Sequence, residues 1–199
     1  NAELMSGDYT GALLHYNVYL EQKNNSEKNR AMASRNIKNC LFALEAMKRP
    51  VQFNPVNIGN GINTGDDEYW PSITADGQTI MFTRQGRPVE KGMRSIPPQE
   101  DFYLSFMSDK GWSAAINAGS PLNTASNEGA QSLSSDGTYM YFTACDRPGG
   151  LGSCDIYFSS HSTAKWSVPV NVGGPVNTNY WESQPSVSAN GRLLFFSSN

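Results

Sequence analysis

Two periods of apolar residues divide the chain. Over residues 7–22, Tyr9, Ala12, Leu13, Tyr16 and Leu20 recur at spacings of three and four, which is one face of a helix. Over residues 27–49 the same period carries Ala33, Ile37, Cys40, Leu41, Leu44 and Met47. Ser26 is the N-cap this second helix predicts, Lys48 and Arg49 suit its negative C-terminal end, and Pro50 stops it. Asn24-Asn25-Ser26 breaks the pattern between them, so residues 1–50 read as a helical hairpin. From Val51 onward the pattern is that of strands. Residues 131–134, 138–143, 155–160 and 166–172 are short runs bounded by turns, and Ser135-Asp136-Gly137 is a tight-hairpin signal.

The strand pattern is repeated. NIGNGINTGDDEYWPSITADGQTIMF (57–82), NAGSPLNTASNEGAQSLSSDGTYMYF (117–142) and NVGGPVNTNYWESQPSVSANGRLLFF (171–196) align without gaps. Asn57, Asn117 and Asn171 open the copies. Asn63-Thr64, Asn123-Thr124 and Asn177-Thr178 follow at offset six, and Glu68, Glu128 and Glu182 at offset eleven. Asp76-Gly77, Asp136-Gly137 and Asn190-Gly191 stand at offset nineteen, and Phe82, Phe142 and Phe196 at offset twenty-five. Asn-Gly makes the same turn as Asp-Gly. Beyond the aligned blocks, Arg87-Pro88 matches Arg147-Pro148, and Trp112 and Trp166 lie eleven residues after Asp101 and Asp155. The first copy carries six extra residues in VEKGMRSIPPQE, which makes its period 60 against 54.

A period of this length, with four short antiparallel strands in each unit, is that of a propeller blade, stable only between neighbours. The expected fold is mainly β: a partial β-propeller of about two and a half four-stranded blades, preceded by the helical hairpin. Val51–Val56 aligns with the fourth strand of the other copies and is expected to be an orphan outer strand. Asn199 aligns with Cys145, so the third blade is expected to continue in a longer protein. The expected domains are 1–50 and 51–199.

Asn-Thr, Glu, Pro-Ser, Asp-Gly and a strand ending in Phe resemble the WD40-like repeat of TolB-type propellers over roughly residues 51–199; the second copy departs with Gln131 where the others have Pro71 and Pro185. That resemblance implies a six-bladed ring. Gly7-Asp8-Tyr9, Ala12-Leu13 and Tyr16 resemble the first helix of a tetratricopeptide (TPR) repeat. Hairpin first and propeller after, with FNPVNIGNGINT and DEYWPSITADG at the junction, is similar to the PorE-like envelope proteins of Bacteroidetes. These carry an OmpA-like peptidoglycan-binding domain, and some belong to the type IX secretion apparatus. The resemblance implies a non-enzymatic, outer-membrane-associated periplasmic scaffold. Its partners would be other envelope proteins, and peptidoglycan through a C-terminal domain outside this sequence.

Composition narrows the alternatives. Charged residues are 17% and the net charge is −3, with no basic cluster of the kind nucleic acid requires. No apolar run reaches the eighteen or more residues of a membrane helix. Cys40 lies on a helical apolar face and reads as a small core residue. Cys145 and Cys154 bracket a Pro-Gly-Gly loop at the ends of adjoining strands. They read either as a cross-strand disulfide, which points to the periplasm or cell exterior, or as two neighbouring thiols.

The linkers between blades share one rim. It collects Asn63, Thr64, Glu68, Asn123, Thr124, Glu128, Asn177, Thr178 and Glu182, with Arg87 and Arg147. These are either a polar binding mouth or braces between blades, Glu to Arg among them. Presence in every copy favours bracing, because a ligand site usually breaks repeat symmetry. Features found once are the partner-surface candidates: Tyr69-Trp70, Tyr180-Trp181 and the basic insertion from Arg84 to Arg94. No nucleophile elbow or phosphate loop is present, and no cofactor is expected. Asp66-Asp67-Glu68 lack the calcium-loop ladder, leaving calcium at a blade junction as a minor reading. Two further classes stay open: the regulatory propeller of a prolyl-oligopeptidase-like peptidase, and a glycan-binding propeller with Trp70 and Trp181 facing solvent.

Overall fold

The computed structural model describes residues 2–86, 89–91, 94–96, 98–162 and 165–199, with the backbone alone for 89–91 and 94–96. The chain divides into two compact units, Asn1–Val56 and Asn57–Asn199.

The first unit is helical. α1 (Ala2–Ser6) is a short turn that the apolar spacing does not reveal. α2 (Tyr9–Glu21) starts at Asp8, whose carboxylate accepts from Gly11 N–H at 2.9 Å. α3 (Glu27–Ala46) starts at Ser26, whose hydroxyl accepts from Asn29 N–H at 3.3 Å. Small residues let α2 and α3 approach: Ala12, Ala33 and Cys40 are buried, with Ile37 and Leu20 packed against them. Asn36, also buried, donates to the Tyr16 hydroxyl at 3.0 Å. The expected stripe on α3 is therefore rotated. Leu41 and Met47 stand exposed, because the closest helix–helix line runs through Ala33, Asn36 and Cys40. Val51–Val56 forms no strand, and Val51, Phe53 and Val56 are exposed. A strand needs a neighbour's backbone groups, and the elements of its own unit are all helices.

The second unit is built from antiparallel strands. β1 (Asp67–Ile73), β2 (Thr79–Gln85), β5 (Glu100–Ser108) and β6 (Gly111–Trp112) form the first sheet in that order, with β7 (Ile116–Asn117) also pairing β5. Between β2 and β5 the insertion folds as its own two-stranded ladder, β3 (Val89–Lys91) with β4 (Arg94–Ile96). β8 (Glu128–Leu133), β9 (Tyr139–Cys145), β10 (Cys154–Ser162) and β11 (Lys165–Trp166) repeat the arrangement, with β12 (Val170–Asn171) on β10. β13 (Glu182–Val187) pairs β14 (Leu194–Ser198) as the third sheet. The protein is thus mixed: three helices precede several β-sheets.

The outermost strand of each full sheet differs from the single run that the sequence predicts. It is interrupted for three residues, 113–115 and 167–169. Ser113 and Ser167 open the breaks, and their carbonyls accept from Ser105 and Ser159 hydroxyls at 2.7 and 2.8 Å. β8 packs on β1 and β2, and β13 on β8 and β9. Met81, Phe102, Leu122, Met140 and Phe142 fill the space between the first two sheets, with Phe102 edge-on to Phe142 at 5.2 Å.

Candidate functional site

The polar residues of the three linkers form one device repeated. Each glutamate at offset eleven turns back to its own Asn-Thr pair. Thr64, Thr124 and Thr178 hydroxyls donate to Glu68, Glu128 and Glu182 at 2.5, 2.5 and 2.6 Å, and the same threonine N–H groups donate as well. Each hydroxyl accepts in turn from the N–H two residues on, at 3.1 Å in all three linkers. Glu128 and Glu182 are fully buried. Burial alone would raise the Glu182 carboxyl, but the donors from Thr178 and Ser198 outweigh it and hold the group below its ordinary value.

Two of the glutamates meet an arginine. Arg84 Nε lies 2.9 Å from Glu68, and its terminal nitrogen donates to the Ile62 carbonyl at 2.9 Å. Arg147 lies 3.0 Å from Glu128 and donates to the Leu122 carbonyl. Aromatic rings flank both guanidiniums: Phe82 and Tyr103 around Arg84, Phe142 and Tyr157 around Arg147. Arg84 was expected on a partner surface; its side chain is only 12% exposed because Glu68 draws it inward. Arg87, the expected brace, lies outside the described residues, as does the Arg94 side chain. In the third linker the Ser198 hydroxyl donates to Glu182 at 3.1 Å.

The asparagines at offset six dock as peptide mimics. Asn123 accepts from Phe102 N–H and donates to Phe102 C=O at 2.9 and 3.0 Å; Asn177 does the same at Ile156, at 2.9 and 2.8 Å. Asn63 is half-buried, and helical residues rather than a sheet precede it. Neighbouring sheets are further pinned by hydroxyls. Thr83 and Thr143 accept from the N–H groups of Ala130 and Gln184, both at 3.2 Å. Ser72 and Ser132 accept from Leu133 and Val187, at 3.1 and 3.0 Å. Gln131, the departure from proline, donates to the Trp70 and Met81 carbonyls at 2.6 and 2.9 Å.

A cavity of about 210 Å³ lies where the three inner strands meet. Each inner strand carries a bulge one residue long, at Trp70, Ala130 and Gln184, with φ of 52°, 51° and 58°. A left-handed backbone at a non-glycine residue costs about 1–3 kcal/mol, and all three strained residues line this one cavity. Tyr69, Trp181, Glu100 and Asn127 also line it, as do the Thr143 and Ser183 hydroxyls, which bond each other. The Tyr69 hydroxyl donates to Glu100 at 2.6 Å. Burial pushes that hydroxyl well above its ordinary range, and the Glu100 and Asp67 carboxylates push it further.

The structure therefore separates the two groups of candidate residues. Of the repeated polar set, Asn123, Asn177, the three Thr–Glu pairs and Arg147 go into braces. Among the aromatics found once, Tyr69, Trp70 and Trp181 converge on the cavity, while Tyr180 points away and is 67% exposed. Trp70 is 45% exposed and Trp181 half-buried. Cys145, also on the cavity wall, is bonded to Cys154 across β9 and β10. Sequence reasoning missed Glu100, Asn127 and Gln184. For Asn127 and Gln184 the signal lies in the aligned copies: offset ten holds Asp67, Asn127 and Trp181, and offset thirteen Trp70, Ala130 and Gln184, different residues at equivalent places; Glu100 lies outside those copies. Among the described residues no group of three His, Cys, Asp or Glu is placed to hold a metal. No helix among them is long and apolar enough to cross a membrane. No family model matches the chain, and no curated protein matches its sequence.

Proposed function

We propose that residues 57–199 are successive blades of a TolB-type, WD40-like propeller, and that the chain is a non-enzymatic interaction module. The observation that carries this reading is the recurrence of one brace at the second and third linkers: Asn on the preceding strand, Thr on Glu, and threonine hydroxyls between neighbouring sheets. Side chains committed to holding neighbouring sheets in register build a rigid platform rather than a reaction centre. The cellular setting we propose is the periplasm, in an outer-membrane-associated assembly of other envelope proteins such as type IX secretion. The Cys145–Cys154 bond supports an oxidising compartment. The helical hairpin, read as TPR-like, is a second interaction surface. Tethering to peptidoglycan is assigned to a domain outside this sequence.

The test is fractionation of the source cell with cross-linking of the native-length protein. Recovery in the periplasm, with cross-links from Tyr180 to another envelope protein, is the expected result. Recovery in the cytoplasm, or hydrolysis of chromogenic prolyl peptides by the native-length protein, would sink the scaffold reading.

A further inference from the structure

We infer that the cavity between the three inner strands is a binding site for a neutral sugar ring. Backbone and side chains behave differently there. The bulge is kept in all three strands, but the residue on it changes from Trp70 to Ala130 to Gln184. The linkers keep the same Asn, Thr and Glu in every copy. Bulges re-aim side chains and recur beside binding sites, so a kept bulge with varied side chains builds an asymmetric pocket from a symmetric frame.

Its chemistry selects the ligand. Trp70, Tyr69 and Trp181 supply flat apolar surface, which the C–H face of a pyranose matches. Asn127 uses its side-chain oxygen on Glu100 N–H at 3.1 Å, and Gln184 uses its own on the Ser197 hydroxyl at 3.3 Å. Among the described residues no acceptor takes either amide NH2, so both remain donors. Glu100 takes Tyr69 and Gln85 on one oxygen, and among the described residues no donor takes the other, which leaves it as an acceptor. A ligand here must therefore both accept from amides and donate to a carboxylate. Hydroxyl groups do both; an alkylammonium only donates, and would leave the amides unpaired. Among the described residues Glu100 is the one charged group on the wall, and its negative charge disfavours anionic sugars. The volume is below the roughly 300–1,000 Å³ of sites for drug-sized ligands, and so limits occupancy to about one ring.

This inference rests on the binding-module reading but is tested separately from it. Tryptophan fluorescence of the chain is titrated with cellobiose, maltose and N,N′-diacetylchitobiose, and with glucuronate and n-butylammonium as charged controls. The expected result is a saturable change with at least one neutral disaccharide and none with either control. Trp70→Ala and Trp181→Ala are expected to weaken that binding by about tenfold or more. Gln184→Leu, read by saturation-transfer NMR and checked for folding by circular dichroism, is expected to weaken it about fivefold. The proposal is overturned if no neutral disaccharide binds, if a charged control binds in its place, or if folded Gln184→Leu binds as the parent does. Failure here leaves the cross-linking result standing, and a cytoplasmic location leaves the sugar titration standing.

Discussion

The first and second sheets carry the same brace built from different backbone positions. Arg84 stands on β2 directly across from Glu68, whereas the residue across from Glu128 is Ala144. The second guanidinium arrives from Arg147, three residues further on, in the loop after β9. Yet both reach a glutamate at offset eleven, a carbonyl at offset five and a Phe–Tyr pair. The difference teaches that what each sheet maintains is the place of the positive charge, not the residue number that supplies it. A buried carboxylate without that charge is costly, and a long arginine side chain reaches from either backbone position. The loop that delivers Arg147 is also closed by the Cys145–Cys154 bond. In the first sheet Gln85 and Glu100, at the corresponding strand ends, are joined by the ladder and a side-chain hydrogen bond of 3.4 Å rather than a covalent bond.

The largest expected effect comes from removing the second guanidinium. Arg147→Ala leaves Glu128 fully buried with Thr124 as its remaining partner, at a cost of about 3–5 kcal/mol. Arg84→Ala, at the more exposed pair, is expected to cost about 2–3 kcal/mol. All four tryptophans lie in the second unit, so a shift of the urea midpoint in their fluorescence measures both. Equal losses would break the comparison.

Next is the disulfide. Joining residues nine apart in sequence constrains the unfolded chain by about 2–3 kcal/mol. The double variant Cys145→Ser/Cys154→Ser is expected to lose that much, and reductant should then leave the variant's midpoint unchanged. A smaller effect sharpens the comparison directly. Ala144→Arg in the Arg147→Ala background moves the second charge to the position the first sheet uses. It is expected to restore about 1–2 kcal/mol of the loss, read at the same midpoint. No recovery would show that the two routes are not interchangeable.

The smallest effect is that of the hairpin turns. Ser134 and Thr138 hold the Asp136 carboxyl down to about 2, and Thr74 with the Gln78 N–H lowers Asp76. A lowered folded value means that this stabilisation is fully present above the ordinary value of 3.8 and is lost as pH falls towards about 2. Both groups are exposed, so the expected change in the acid midpoint is slight. Carboxyl chemical shifts followed through acid titration should place Asp136 below an exposed aspartate; an ordinary value would overturn the turn geometry.

Much of the fold is legible in the chain's local patterns. Helix starts at Ser26, hairpin turns at Asp76-Gly77 and Asp136-Gly137, and the order of strands follow from local chemistry and period. Local patterns also marked Cys145 and Cys154 as neighbours. What failed was non-local. Val51–Val56 has the composition of a strand but no ladder beside it. Arg84 looked like part of an exposed basic insertion because nothing along the chain shows Glu68 opposite it. The cavity was half-legible: its aromatics stood out as found once, but Glu100, Asn127 and Gln184 come from three segments that only folding brings together.

By itself, then, the sequence determined the two periods, the turns, the threefold repeat and the residue types that serve it, because these depend on neighbours within a few positions. Only the tertiary structure decided which arginine meets which glutamate, that the inner strands bulge into the left-handed region, and that three such bulges face one cavity. Those outcomes depend on the distance between sheets and on which buried groups must be paired there, quantities that exist only once the strands have packed.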